Sequence, residues 1–188
     1  GEWLGRLWFA PNGLVEYARK GRLLTGIYVP YWTFDTDTHS KYTGARGTYY
    51  YTTKTVTVNV NGRSEQRQVQ ERHTSWAAVR GAVARRFDDL LILASKSLPT
   101  RLGDDLSPWD LSQLKPYSTD YIAGLLAEGY TVGLADGHTV ARDRMAMQIR
   151  EDVRQNIGGD EQRIDGVQTQ WDDETFKHIL LPVWTAAY

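Results

Sequence analysis

Residues Thr48 to Val60 read TYYYTTKTVTVNV and run into Asn61-Gly62. No stretch of the chain has a stronger strand composition, because β-branched and aromatic side chains fit a pleated, half-buried surface. Asn-Gly supplies the two positive φ angles of a two-residue hairpin turn, so a strand is expected to return over about Gln66 to Val79. That return carries Gln66, Gln68, Gln70 and Arg72 at alternate positions. Alternation of this kind leaves one face in water. A long hairpin commits the chain to a β-sheet, and the remaining elements have to be placed around it.

A second β-like run, Gly26 to Asp35 (GIYVPYWTFD), is echoed by Ile179 to Tyr188 (ILLPVWTAAY). Each has a proline two residues before a tryptophan. Proline cannot donate to a strand ladder and therefore belongs at an edge or a bulge. The echo is read as two paired or pseudo-symmetric pieces of one core, with Tyr28, Pro30, Tyr31, Trp32, Pro182 and Trp184 as its structural motif. Phe87 to Ser95 (FDDLLILAS) is read as a further strand. Arg163 to Trp171 alternates as a strand does, Asp172-Asp173-Glu174 is expected to turn, and the closing strand is expected to start near Phe176.

Helices are expected where the apolar period changes to between three and four residues. Glu2 to Ala10 and Leu14 to Gly21 are short candidates. Ser118 is placed to cap a helix from Thr119 to about Glu128, burying Tyr121, Ile122, Leu125 and Leu126. The longest helix is expected over about Val132 to Ile157, where Met145, Ile149, Val153 and Ile157 recur every four residues before Gly158-Gly159. Leu98 to Pro116, punctuated by prolines, is expected to be a loop-rich connection. The fold class is α+β: an antiparallel sheet with a long hairpin, packed against helices. At 188 residues a single domain, 1–188, is expected. The start at Gly1-Glu2-Trp3 and the end inside an apolar strand are read as a fragment of a longer protein.

Lys plus Arg number 22 against 23 Asp plus Glu, so no global basic field marks a nucleic-acid or membrane-surface binder. With no cysteine, disulfides, thiol nucleophiles and thiolate zinc sites are excluded. His39, His73, His138 and His178 lack metal-ligand spacing, and the paired carboxylates Asp35/Asp37, Asp88/Asp89, Asp104/Asp105 and Asp172-Asp173-Glu174 read as turn and cap residues. There is no G-x-S-x-G and no phosphate-binding glycine loop. No catalytic residue, metal site or cofactor is predicted, and the chain reads as non-enzymatic.

The aromatic load, 7 Trp and 11 Tyr, is the more informative feature. Aromatics interleaved with cations can stack single-stranded nucleic acid, which nominates Lys41, Arg46, Tyr49, Arg85 and Arg86. The preferred reading makes the tyrosines cross-strand pairs with polar tips in water. A protein contact surface is the third reading, since Tyr and Trp are enriched there.

GIYVPYWTFD, RGTYYY, FDDLLILASKSLP, PWDL, IREDVRQNIGGDEQRI and TFKHILLPVW together resemble a bacterial family labelled primosomal protein N′-like or zinc-ribbon-containing. The resemblance covers nearly the whole chain. It implies a zinc ribbon before this region and a hydrophobic anchor after it, both outside this sequence. It also implies a cytoplasmic adaptor in a membrane-associated stress assembly, tethered through that anchor, with a protein partner. The label itself points to an accessory role in DNA replication, with nucleic acid as partner and no helicase activity in this chain. The resemblance supplies no catalytic residues.

Overall fold

The computed structural model describes residues 24–186 apart from 61–62 and 107. The two expected N-terminal helices and the Asn61-Gly62 turn lie outside the described residues. Four strands form one sheet: β1 (Leu24–Val60), β2 (Arg63–Leu93), β3 (Leu126–Ala127) and β4 (Glu161–Ala186). Between β2 and β3 come helix α1 (Thr100–Asp105), a 3-10 turn (Leu111–Gln113) and helix α2 (Thr119–Ile122). Helix α3 (Leu134–Ile157) leads into β4. The described chain is mainly β, with helices of which one is long. No helix among these residues is long and apolar enough to cross a membrane.

β1 is the strand on which the others pair, with β2 and then β3 along one edge and β4 along the other. Residue order shows that β2 and β4 are antiparallel to it. Tyr50 meets His73 and Thr38 meets the Arg85 carbonyl, while Thr25 meets Thr185 and Ser40 meets Thr169. The expectation of a purely antiparallel sheet is corrected at one place, where Ile27 and Tyr28 pair in parallel with Leu126 and Ala127.

Pro30 explains why the partner changes there. A hydrogen-bonded antiparallel pair exchanges two N–H···O bonds. Ala94 N–H donates to the Pro30 carbonyl at 2.9 Å, but Pro30 has no N–H to return. The Ala94 carbonyl instead accepts from Thr131 and Val132 N–H, at 2.8 and 3.0 Å. β2 ends at Leu93, and Glu128 N–H donates to the Tyr28 carbonyl at 2.9 Å.

The chain forms two compact units. The first holds residues 24–35, 88–143 and 174–186 of those described. Its core is Val29, Tyr31, Leu93, Ile179 and Leu181, with Ile27, Leu91, Leu98, Trp109, Leu111 and Val183 against it. Tyr31 donates its hydroxyl to the Gly103 carbonyl at 3.3 Å, and burial, reinforced by Asp104, pushes its pKa up. Two helical expectations are corrected in this unit. Ser118 does cap, accepting from Asp120 N–H, but α2 stops at Ile122. Gly124 takes φ +79, a conformation a helix does not continue through, and the chain extends into β3. Tyr121 and Leu126 are consequently exposed rather than buried.

The second unit holds residues 36–60, 63–87 and 144–173 of those described. Here the four-residue recurrence on α3 does what the sequence expects: Met145, Ile149, Val153 and Ile157 are all buried. Ile149, Val153 and Ile157 pack with Tyr42 against Val79, Val83, Phe87, Ile164, Val167 and Trp171. Gly158 and Gly159, both at positive φ, end the helix. Arg85 forms a bidentate pair with Asp152, 2.6 Å on each arm, and Tyr42 donates to Asn156 at 2.6 Å.

Asp172-Asp173-Glu174 is not a turn, since β4 continues through it. Asp89 and Asp173 are the two non-glycine residues at positive φ among those described, at 53° and 51°. On β2 this conformation marks a bulge. Asp89 meets Asp35 where Arg85 meets Thr38, so four residue steps on β2 face three on β1. Aspartate tolerates the left-handed region better than most residues.

Ile149→Ala removes a side chain at the centre of the α3 contact and is expected to lower unfolding free energy by about 2–5 kcal/mol in urea titration. Met147→Ala, at an exposed position on the same helix, is expected to stay within about 0.5 kcal/mol of the native value.

Candidate functional site: an exposed β-ribbon

Beyond the sheet proper, β1 and β2 continue together as a two-stranded ribbon. Residues 51–59 and 63–72 are exposed on both faces, with Val56 and Val58 alone half-buried. The base of the ribbon is fixed by polar contacts. Tyr49 N–H donates to Asp160 at 2.7 Å, its hydroxyl donates to Glu161 at 2.8 Å, and the Arg72 guanidinium lies 4.3 Å over its ring. The Glu161 carboxylate holds the Tyr49 hydroxyl above the usual tyrosine pKa. One row further out, Tyr50 stacks on His73 with centroids 5.3 Å apart, and Thr52 bonds to the His73 ring at 2.8 Å. Trp76 sits under Arg163 at 5.7 Å. Tyr50, Tyr51, Val69 and Trp76 are large and exposed, and Lys54, Arg63, Arg67 and Arg72 outnumber Glu65 and Glu71.

The nucleic-acid candidates separate. Lys41, Arg46 and Arg86 are all exposed, and Arg46 also donates to the Ile157 carbonyl at the C-terminus of α3. Arg85 is held by Asp152, which keeps it charged and lowers the Asp152 pKa, and Tyr49 is tied to Glu161. Three of the five therefore have structural partners.

The Pro-x-Trp segments lie on adjacent strands without standing opposite one another. A Cβ on Gly26 would lie 2.8 Å from the Trp184 ring, so Trp184 faces the start of β1 while Trp32 meets Phe176 and His178. Pro30, Tyr31 and Trp32 are buried; Tyr28, Pro182 and Trp184 are partly buried, and burial raises the Tyr28 pKa.

Around Trp32 the fold assembles an aromatic group that the sequence reading missed. Trp32 Nε1 donates to the Val132 carbonyl at 3.0 Å, and its ring meets His178 at 4.7 Å, Tyr130 at 5.7 Å and Phe176 at 6.3 Å. The available signal was the period-two spacing of Phe176 and His178 on β4. Loss of water around the imidazole pushes the His178 pKa below the ordinary histidine value. His138 sits against Phe34, 3.5 Å from Glu174, which also accepts from Arg142 at 2.6 Å. No three His, Asp or Glu side chains among the described residues gather as a metal site.

Asp35 anchors the bulge on β2. Burial alone would raise its pKa, but the Asp89 N–H, the Thr175 hydroxyl and Lys177 outweigh that and hold it below the usual carboxylate value. Lys177 in turn bonds Asp89 at 2.9 Å.

The class defined by these observations is a mainly β chain with helices, carrying an exposed ribbon. No protein family matches it, and no solved structure does. Its sequence is 21% identical over 188 residues, the whole of this chain and 51% of the relative, to "Uncharacterized protein YdjG" of Bacillus subtilis (strain 168). The chain spans about half the length of that relative.

Because the folded-state pKa of Asp35 is depressed, its stabilisation is present above the unfolded value near ~4 and is lost as pH falls through the folded value. Asp35→Asn is expected to be less stable than the native chain at neutral pH, with the gap closing in acid when both are unfolded by urea across pH. In NMR titration, His178 is expected to protonate below the ordinary histidine value, and Tyr130→Ala, which removes a shielding ring, to move it upward.

Proposed function

We propose that this chain is a non-enzymatic interaction module that presents its β-ribbon to a protein partner. The supporting observation is the exposure of residues 51–59 and 63–72 on both faces. A two-stranded ribbon without a core is marginal in water, and Tyr and Trp are the side chains protein interfaces favour. If the resemblance to the zinc-ribbon-containing family holds, the module serves a membrane-associated stress assembly, tethered through an anchor outside this sequence.

Tyr51→Ala with Trp76→Ala, in the full-length protein in its native membranes, is expected to abolish capture of the partner while leaving the circular dichroism spectrum unchanged. Capture at the native level by this double variant would overturn the assignment to the ribbon.

A second reading, an accessory nucleic-acid binder related to replication, draws on the excess of Lys54, Arg63, Arg67 and Arg72 over Glu65 and Glu71. It requires affinity for single-stranded DNA that falls steeply with salt, through counterion release. Weak binding with no salt dependence would remove it.

A further inference from the structure

The outer edge of β2 is bare: β1 is its one strand partner among the described residues. From Arg63 to Ala78 (RSEQRQVQERHTSWAA) this edge contains no proline and no lysine, and the charges that guard it, Arg63, Glu65, Arg67, Glu71 and Arg72, are of both signs, so they repel a second strand only in registers that set like against like. Successive side chains alternate between faces, so Glu65, Arg67, Val69, Glu71 and His73 share one face, and Ser64, Gln66, Gln68, Gln70 and Arg72 the other.

We propose that this edge pairs with the same edge of a second copy of the chain, antiparallel and centred on Val69. The inference rests on the reading of the ribbon as an interaction surface and adds self-association through its free edge to it. In this register Val69 faces Val69 of the second copy, Arg67 faces Glu71, Glu65 faces His73, and Gln68 faces Gln70. Twofold symmetry makes every pair but the central Val69–Val69 pair occur twice. Opposite charges directly across a strand pair stabilise it, and like charges destabilise it.

Neighbouring registers fail on that rule. Centring on residue 68 sets Glu65 against Glu71, centring on 67 sets Arg67 against itself, and centring on 71 sets Glu71 against itself. Centring on 70 sets Glu71 against Val69 and Arg67 against His73, and makes no Arg–Glu pair. The contact Arg67 now makes, to Glu65 at 3.7 Å with both side chains more than half exposed, is weak enough to exchange. Pairing would turn two marginal two-stranded ribbons into one four-stranded sheet.

The chain has no cysteine, so Val69→Cys introduces a single thiol. Mild oxidation of the folded chain is expected to link Val69→Cys into a covalent dimer, while Gln66→Cys, which faces Arg72 of the other copy, stays monomeric. In sedimentation, Arg67→Glu and Glu71→Arg are each expected to weaken the native dimer roughly tenfold, because each creates two like-charge pairs. The double exchange R67E/E71R restores it. A monomeric native chain with no Val69→Cys crosslink would overturn the self-pairing, as would single and double charge variants that dimerise equally. If self-pairing fails while Tyr51→Ala with Trp76→Ala still abolishes partner capture, the adaptor reading stands without it. If self-pairing holds and capture is unaffected, the adaptor reading falls alone.

Discussion

Every strand pair among the described residues includes β1, and the arrangement follows from how its two edges are satisfied. Each N–H and C=O of a buried strand needs a partner, because leaving one unmade costs about 1–3 kcal/mol. β4 supplies one edge along its length. On the other edge the absent N–H of Pro30 breaks the exchange with Ala94 and frees the Ala94 carbonyl for Thr131 and Val132. A single proline thus ends one pairing and gives β3 its place. The parallel pair, the short β3 and the entry to α3 all lie downstream of that missing donor.

The same economy of polar groups governs the positions of the acidic residues. Asp35 accepts from the Asp89 N–H and from Thr175, and Lys177 closes the group against both carboxylates. Adjacent acidic residues that look like turn formers are here built into long strands. Asp89 and Asp173 take the left-handed conformation at points where the strand continues, so the local preference of aspartate is used without reversing the chain. Arg85 and Asp152 make a comparable fixed pair between β2 and α3. The strongest electrostatic contacts therefore hold backbone and helix in place, and the ribbon keeps its charges exposed.

Much of the fold was legible because burial leaves a period. Met145, Ile149, Val153 and Ile157 could be assigned to one buried helical face from spacing alone, and Thr48 to Val60 to a strand from composition. The candidate site was legible in a coarser sense. The polar alternation of Gln66 to Arg72 marked solvent exposure, but alternation cannot say that both faces are open, which depends on how far other elements reach along the ribbon. α2 was overestimated because helical spacing in Tyr121 to Leu126 counted for less than the positive φ of Gly124. The aromatic group at Trp32 was missed because Tyr130, Phe176 and His178 come from segments far apart in sequence.

By itself the sequence determined the elements whose signal is local: the strands at Gly26 to Asp35 and Thr48 to Val60, the buried face of α3 and its glycine stop, and the exclusion of thiol and phosphate-loop chemistry. Tertiary structure decided what depends on pairing across sequence distance. It showed Pro30 as a switch of strand partner, the Pro-x-Trp segments as neighbours that do not face each other, and Arg46 and Arg85 as cations with partners on α3. The physical reason is that propensity and periodicity act within a few residues, whereas a hydrogen bond or an ion pair is assigned only when two distant segments meet.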